Sequence, residues 1–329
     1  MIALITGAYG FIGTHLTRYL LENGYEVRCV DIASPPHDWP GERSPVHYSL
    51  DLSNQKAIEE TAALKGIDLL FHLAGGTKLT GLKEFRAWNV IPTRNLLQAV
   101  IKRRQNLKRF IYISSLAAVG PALSLENPVD DDVNPRPVGH YGISKWEGEQ
   151  EVSRSGGQVP FTIIRPSAVY GPRDVDFLQV FKTIKFHLSI YPGYRHKYLT
   201  PVYVEDLVRG MVQAAISSKS TGKAYFLGSD QHVTWEFVYR KIAALMEKKV
   251  LEISIPQKLV DLMGVAGNLY TRLTGRFTLV NTQKINLSRP TYWICSSQGA
   301  RRDFDYNPEI LLEQGLRATY QWYRTEGWL

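Results

Sequence analysis

The chain opens with an apolar run, Ile2-Ala-Leu-Ile5, followed at three-residue spacing by Gly7, Gly10 and Gly13. An unbroken apolar run of this length reads as a strand buried on both faces. From Phe11 to Leu21 the apolar positions recur with helical spacing, placing Ile12, Leu16, Tyr19 and Leu20 on one face. Asn23-Gly24 stops that helix, and Glu26 to Val30 forms a second strand ending on Asp31.

The alternation continues. A proline-rich loop from Ser34 to Pro45 leads to a short strand, Val46 to Leu50, closed by Asp51-Leu52, with Ser53 placed to cap the next helix. A fourth strand, Asp68 to Leu73, runs into Ala74-Gly75-Gly76. One long helix is expected from Leu82 to Arg103, disturbed by Pro92, which lacks an N–H and leaves the carbonyl of Trp88 free. A fifth strand (Arg109 to Ser114), a helix (Tyr141 to Val152) and a sixth strand (Phe161 to Arg165) follow. Strands alternating with helices predict an α/β chain with a Rossmann-type, doubly wound parallel sheet.

From Pro172 the rhythm changes. Residues 174–200 carry an apolar helical pattern and then the turn-rich Tyr191-Pro192-Gly193. Val202 to Asp206 begins a helix, Ala224 to Leu227 reads as a strand returning to the sheet, and 230–329 reads as helices joined by irregular loops. The expected division is therefore a nucleotide-binding domain, 1–173 with 201–229 returning to it, and a smaller, mainly helical substrate-binding lobe, 174–200 with 230–329. The amphipathic stretch Leu259 to Leu273 has only Asp261 and Arg272 as charges, so it is expected to be a lid or core helix and not a membrane-surface one.

Composition narrows the classes. The 329 residues are 44% hydrophobic and 21% charged, ordinary for a globular chain, and no apolar segment reaches the roughly 18 residues of a membrane span. The first residues enter a core strand directly, so no signal peptide is expected, and Cys29 and Cys295 read as two buried thiols. The cytoplasm is the expected compartment. A net charge of +8 is compatible with an anionic substrate. Without an aromatic-and-basic stripe, no nucleic-acid partner is expected. The densest basic run, Lys102-Arg103-Arg104 with Lys108-Arg109, lies at a helix end and reads as structural. No metal site is expected.

Strand, glycines, helix, strand and terminal carboxylate together point to a dinucleotide. Glycines permit the sharp turn, the close approach of a pyrophosphate and tight helix packing, while the helix N-terminus faces the phosphates. Asp31, 18 residues after Gly13, can accept hydrogen bonds from the adenosine ribose and repel a 2′-phosphate, which favours NAD over NADP. Tyr141 and Lys145 lie four apart on one helix face, and Ser114-Ser115 ends the fifth strand.

These features resemble the extended short-chain dehydrogenase/reductase superfamily, in particular its NAD-dependent epimerase/dehydratase family. The resemblance rests on Thr6-Gly7-Ala8-Tyr9-Gly10-Phe11-Ile12-Gly13, Asp31, Asp51-Leu52, His72-Leu73-Ala74-Gly75, Asn89 to Thr93, Ser114-Ser115 with Gly120, Tyr141 with Lys145, and Arg165 to Pro172. The tail, Glu313 to Leu316 with Trp322-Tyr323 and Gly327-Trp328-Leu329, is similar too. It implies that Tyr141 is the general acid/base, that Lys145 lowers its pKa and holds the nicotinamide ribose, that Ser115 orients the reacting oxygen and that Asn89 supports the proton path. It implies an NAD site of Gly7, Tyr9, Gly10, Phe11, Ile12, Gly13, Asp31, Asp51, Leu52, Leu73, Ala74, Gly75, Ser114, Tyr141, Lys145, Pro166, Ala168 and Val169. Substrate contacts are expected from Thr77, Ser115, Ala117, Ser167 and Arg173. A homodimer through the helices around 82–103 and 141–155 is the family expectation, with Phe85, Leu96 and Leu97 either apolar surface or core.

Departures from the family pattern bear on the reaction. Leu116-Ala117 stands where the family's 4,6-dehydratases have an Asp-Glu pair, so dehydration is not expected. Ser167 and Tyr203 replace the Asn and His common in sugar-nucleotide epimerases, while Arg173, Arg195, His196 and Lys197 offer cations to a diphosphate. The expected activity is NAD-dependent hydride transfer at a secondary alcohol, by epimerisation of a nucleotide sugar. The alternative is a 3β-hydroxysteroid-dehydrogenase-like or hydroxyacyl dehydrogenase, and the non-enzyme alternative an NAD-sensing or RNA-binding relative.

Overall fold

The computed structural model describes residues 1–35, 44–103, 106–193, 196–274, 278 and 282–329. Arg104, Arg195 and most of the proline-rich loop lie outside the described residues. The chain begins with β1 (Ile2–Thr6), α1 (Phe11–Glu22), β2 (Glu26–Asp31), β3 (Val46–Ser49), α2 (Gln55–Glu60) and β4 (Leu69–His72). Then come α3 (Leu82–Asn89), α4 (Ile91–Lys102), β5 (Arg109–Ile113), α5 (Gly139–Arg154), β6 (Phe161–Pro166) and β7 (Ala168–Tyr170). The next stretch holds α6 (Asp176–Lys185), β8 (Leu188–Pro192), β9 (Tyr198–Leu199), β10 (Pro201–Tyr203), α7 (Val204–Ile216) and β11 (Lys223–Leu227). The chain ends with β12 (Val233–Thr234), α8 (Trp235–Leu245), β13 (Leu251–Ile255), α9 (Gln257–Thr274), α10 (Thr282–Ser288), β14 (Tyr292–Trp293), α11 (Gln298–Phe304) and α12 (Leu312–Thr325).

Seven strands form one parallel sheet in the order β11-β6-β5-β4-β1-β2-β3. Alternation along β1 sends Ala3 and Ile5 to a core with Leu16 and Leu20 of α1 and Leu207 and Met211 of α7. Leu4 goes to the opposite core, with Leu96, Leu97 and Val100 of α4. The order reverses between β1 and β4, and the carboxyl ends of those strands carry the glycine loop and Leu73 to Gly76, where an open α/β sheet binds its ligands.

The expected long helix is two, α3 and α4, meeting at Val90, with Pro92 in the first turn of α4, where no N–H is required. Phe85, Leu96 and Leu97 are buried, so they are core. The cap of α2 is Asn54, whose side chain accepts from the Ala57 amide, and not Ser53. The basic run is held locally: Lys102 pairs with Glu59, Arg103 donates to the carbonyls of Glu59 and Thr61, and Lys108 pairs with Asp68.

A third core joins α6, α8 and α12 through Phe177, Phe181, Val238, Ile242, Leu316 and Tyr323. Short strands pair around it, β12-β9-β14, β13-β8 and β10-β7. The apolar stretch 259–273 is helical, as α9, but it is not a core helix. Only Val260 and Gly264 are buried, and the large apolar side chains face outward.

Candidate active site

Gly7 and Gly13 are fixed by close packing. Gly7 has φ +67°, and a Cβ there would lie 2.6 Å from the Ala74 amide; a Cβ on Gly13 would lie 2.2 Å from the Gly7 carbonyl. Gly10 differs, since its Cβ would meet nothing nearer than 3.4 Å. That room lies on the open side of the loop, toward the cleft. Gly10 is the N-cap of α1, and no side chain caps the helix, so its first N–H groups are free for an anion. Asp31 accepts from the Tyr9 amide (3.0 Å) and the Ala33 amide (3.0 Å), which fixes the carboxylate against the glycine loop.

Two adjoining cavities meet along Gly7, Gly10, Leu73, Gly75 and Trp88. One, of about 530 Å³, is lined by Tyr9, Asp31, Asp51, Leu52 and Ala74. The other, of about 610 Å³, is lined by Phe11, Ile12, Gly13, Thr77, Asn89, Ser114, Ser115, Tyr141, Lys145, Pro166, Ser167, Val169 and Arg173. Two expected residues are not brought in. Ala117 is buried behind the cleft, its carbonyl accepting from the Val138 amide and filling the space a Gly142 side chain would need. Ala168 donates its amide to Thr200 in the β7–β10 pair and packs on the third core.

At the reacting end, the Tyr141 phenol is hydrogen-bonded to Ser115, whose hydroxyl also accepts from the Ala117 amide (3.1 Å). Lys145 is 5% exposed, with Nζ 4.4 Å from the centre of the Tyr112 ring. Asn89 is fully engaged: Oδ1 accepts from the Gly76 amide (2.7 Å), and Nδ2 donates to the Gly76 carbonyl (3.2 Å) and to Ser144 Oγ (2.8 Å). Ser144 in turn donates to the Tyr141 carbonyl (2.8 Å), so Asn89 ties the loop after β4 to the helix that carries the tyrosine. His72 lies beneath, buried between Thr6 (2.7 Å) and Thr93 (2.9 Å), and burial pushes its pKa down to about 3, which keeps it neutral.

Sequence reasoning misses the support under this group. Glu149, one helical turn beyond Lys145, is buried and accepts two hydrogen bonds from Arg165 (3.0 and 2.7 Å) and one from Ser114 Oγ (2.5 Å). A signal for it exists, because Tyr141, Lys145 and Glu149 recur at four-residue spacing on one face of α5.

Burial dominates the electrostatics. It raises the Tyr141 phenol above its ordinary range, opposed by the Ser115 hydrogen bond. It lowers the Lys145 ammonium to about 7, opposed by Glu149. A lysine standing as a permanent cation beside the phenol is therefore not what this chain alone provides near neutral pH, because the low-dielectric surroundings disfavour the ammonium itself.

The mouth of the larger cavity is formed by Lys78, Leu79, Trp88, Val175 and Asp176. Lys78 lies 3.9 Å from the Asp176 carboxylate, and Arg173 is held at φ +73°. The other expected cations are engaged elsewhere. Lys197 is buried and donates to the carbonyls of Pro192 and Ser288, and His196 lies 3.4 Å from Glu236. Tyr203 is buried in the third core.

A profile of the NAD dependent epimerase/dehydratase family matches residues 3–228. The chain belongs to this family. It is accordingly an NAD-dependent enzyme of the epimerase or dehydrogenase type, with the Rossmann-like sheet expected from its sequence. A ceramide reductase of Caulobacter vibrioides is 27% identical, covering 100% of this chain and 96% of that protein. A 3-beta-hydroxysteroid dehydrogenase of Mycolicibacterium neoaurum is 28% identical, over 97% and 90%. In fold, the chain is similar to UDP-glucuronic acid 4-epimerase from Bacillus cereus, solved with UDP-glucuronic acid and NAD, with a TM-score of 0.79 at 23% identity over 99% and 100%. No helix among the described residues is long and apolar enough to cross a membrane.

Proposed function

We propose that the chain is an NAD-dependent dehydrogenase or reductase acting at a secondary alcohol or ketone on a largely apolar molecule. The observation that carries it is Tyr141, hydrogen-bonded to Ser115 and one turn from Lys145, on the floor of a cleft whose mouth presents Leu79, Trp88 and Val175. The full-length likeness to a ceramide reductase and a 3-beta-hydroxysteroid dehydrogenase supports the apolar substrate. Epimerisation of a nucleotide sugar is the second reading, favoured by Lys78 and Arg173 at the mouth and by the fold shared with the UDP-glucuronic acid epimerase.

NAD supplies the two-electron acceptor for the alcohol carbon. The free N–H groups of α1 and the open side of Gly10 receive its pyrophosphate, and Asp31 its adenosine ribose. Ser115 orients the substrate oxygen and Tyr141 exchanges the proton with it. Lys145 binds the nicotinamide ribose and, when protonated, lowers the phenol's pKa. Residues 1–173 with 201–229 serve as the cofactor domain, and 174–200 with 230–329 as the substrate lobe. A cytoplasmic location fits the composition. A homodimer through α3, α4 and α5 is part of the same reading, across a face where Arg86–Glu147 and Arg94–Glu151 pairs leave Ile91 exposed.

The test is turnover of purified protein with NAD, offered long-chain and steroidal secondary alcohols or UDP-hexoses. Reduced cofactor should accumulate with an apolar alcohol, and Tyr141→Phe should lower that rate roughly 100- to 10,000-fold while sparing NAD affinity. Interconversion of a UDP-hexose without free reduced cofactor would replace this reading with epimerisation. An unchanged rate in Tyr141→Phe removes the tyrosine from the reaction.

A further inference from the structure

The outward face of α9 is apolar. Leu259, Leu262, Met263, Leu269, Tyr270 and Leu273 fall within about 120° of arc at the helical 100° per residue. All are exposed, Leu262 to 64% and Leu273 to 76%. The buried positions, Val260 and Gly264, lie on the other side and include a residue with no side chain, so the helix rests on its small face and presents its large one. Scattered exposed apolar residues need no explanation, but a contiguous stripe along an 18-residue helix marks a surface for something else.

The charges around the stripe decide what. Lys258 and Arg272 are exposed in the first and last turns and lie along one edge of the arc. The strand that leads into the helix, β13, begins at exposed Leu251, two residues after the Lys248-Lys249 pair. The Leu251 amide donates to the His187 carbonyl, which places Leu251 beside exposed Phe186 and the last turn of α6 with Lys182 and Lys185. The acidic groups in these segments are fewer. Asp261 is paired with Arg289 and Glu252 lies 3.7 Å from Arg240, which leaves Glu247 on the surface.

We infer that α9 lies in the plane of a lipid surface carrying anionic headgroups, its leucine stripe among the acyl chains and the flanking lysines and Arg272 at the phosphates. An apolar helical face edged by cations has the chemistry of an interfacial helix. Two copies packed face to face would set Lys258 and Arg272 of each against the same charges of the other, which disfavours self-association. The stripe shares no residue with the lining of the cleft, so the inference stands apart from the reaction assigned above.

Flotation of the full chain with phosphatidylcholine vesicles, plain or containing about a third phosphatidylglycerol, tests this. Partition onto the anionic vesicles should exceed that onto plain ones by about tenfold or more and should weaken in high salt. Leu262→Asp with Leu269→Asp should abolish it without changing NAD affinity or thermal stability, because both positions are exposed. Lys258→Glu with Arg272→Glu should remove the preference for anionic lipid. Three results would each overturn the inference: no partition onto anionic vesicles, partition that survives the double aspartate variant, or a wild-type oligomer that the same variant converts to monomer.

Discussion

Glu149→Gln isolates one buried charge and should be costly. Glutamine keeps the shape of the side chain and an acceptor for Ser114, but removes the charge that faces Arg165. Both partners are out of water, with side chains 7% and 1% exposed for Arg165 and Glu149. Loss of one member of such a pair leaves an uncompensated buried charge, which costs about 3–5 kcal/mol. At about 2–4 °C per kcal/mol for chains somewhat shorter than this one, the melting temperature should fall on the order of 10 °C. Calorimetry or far-ultraviolet circular dichroism reads this directly. The double variant Glu149→Gln with Arg165→Met should be more stable than Glu149→Gln alone, since neither charge is then left unpaired. A melting temperature within about 2 °C of the parent for Glu149→Gln, or a double variant worse than the single, refutes the reasoning.

Asp31→Asn should weaken NAD and narrow a preference over NADP that is expected to be about tenfold or more, some 1.4 kcal/mol, measured by calorimetric titration; equal affinities in the parent would remove the assignment of Asp31. Lys145→Met should stabilise the chain, and more at pH 6 than at pH 10. The folded pKa of about 7 lies below the unfolded value of about 10.5, so the folded state binds fewer protons between them, and the lysine's penalty is full below 7 and relieved as pH rises. Thermal melts across that range check the sign, and a variant that gains nothing at pH 6 contradicts it.

The strands of the large sheet as far as β6 are legible in the sequence because each announces itself locally. An unbroken apolar run and three spaced glycines require no knowledge of partners, and the strands fall within a residue or two of where the pattern puts them. The small sheets are not legible for the opposite reason. β9 and β14 are two residues each and pair across more than 90 positions, so neither carries a period that a sequence can show. Periodicity also fixes which residues share a face without fixing where that face points, which is why the core reading of α9 fails and its large apolar side chains are exposed. Glu149 and Arg165 are hidden by type, because a charged residue reads as surface until its partner is seen.

Reaction and selectivity are separated in the same way. Proton transfer needs a phenol, a hydroxyl and an amine in fixed relation, and that demand leaves a spaced signature on β5 and α5. Under the proposed function, selectivity would be exercised at the mouth, by Lys78 and Leu79 before α3, Trp88 within it and Val175 and Asp176 at the start of α6. Among the described residues, Lys78, Arg173 and Lys145 are the cations lining the larger cavity. Lys145 sits on the floor, so a diphosphate would have to draw on Lys78 and Arg173, parting Lys78 from Asp176 and leaving that carboxylate beside an anion. An apolar alcohol demands no such exchange. It rests on Leu79, Trp88 and Val175 and leaves the Lys78–Asp176 pair in place, which is the physical reason for preferring the apolar substrate in a family whose fold serves both.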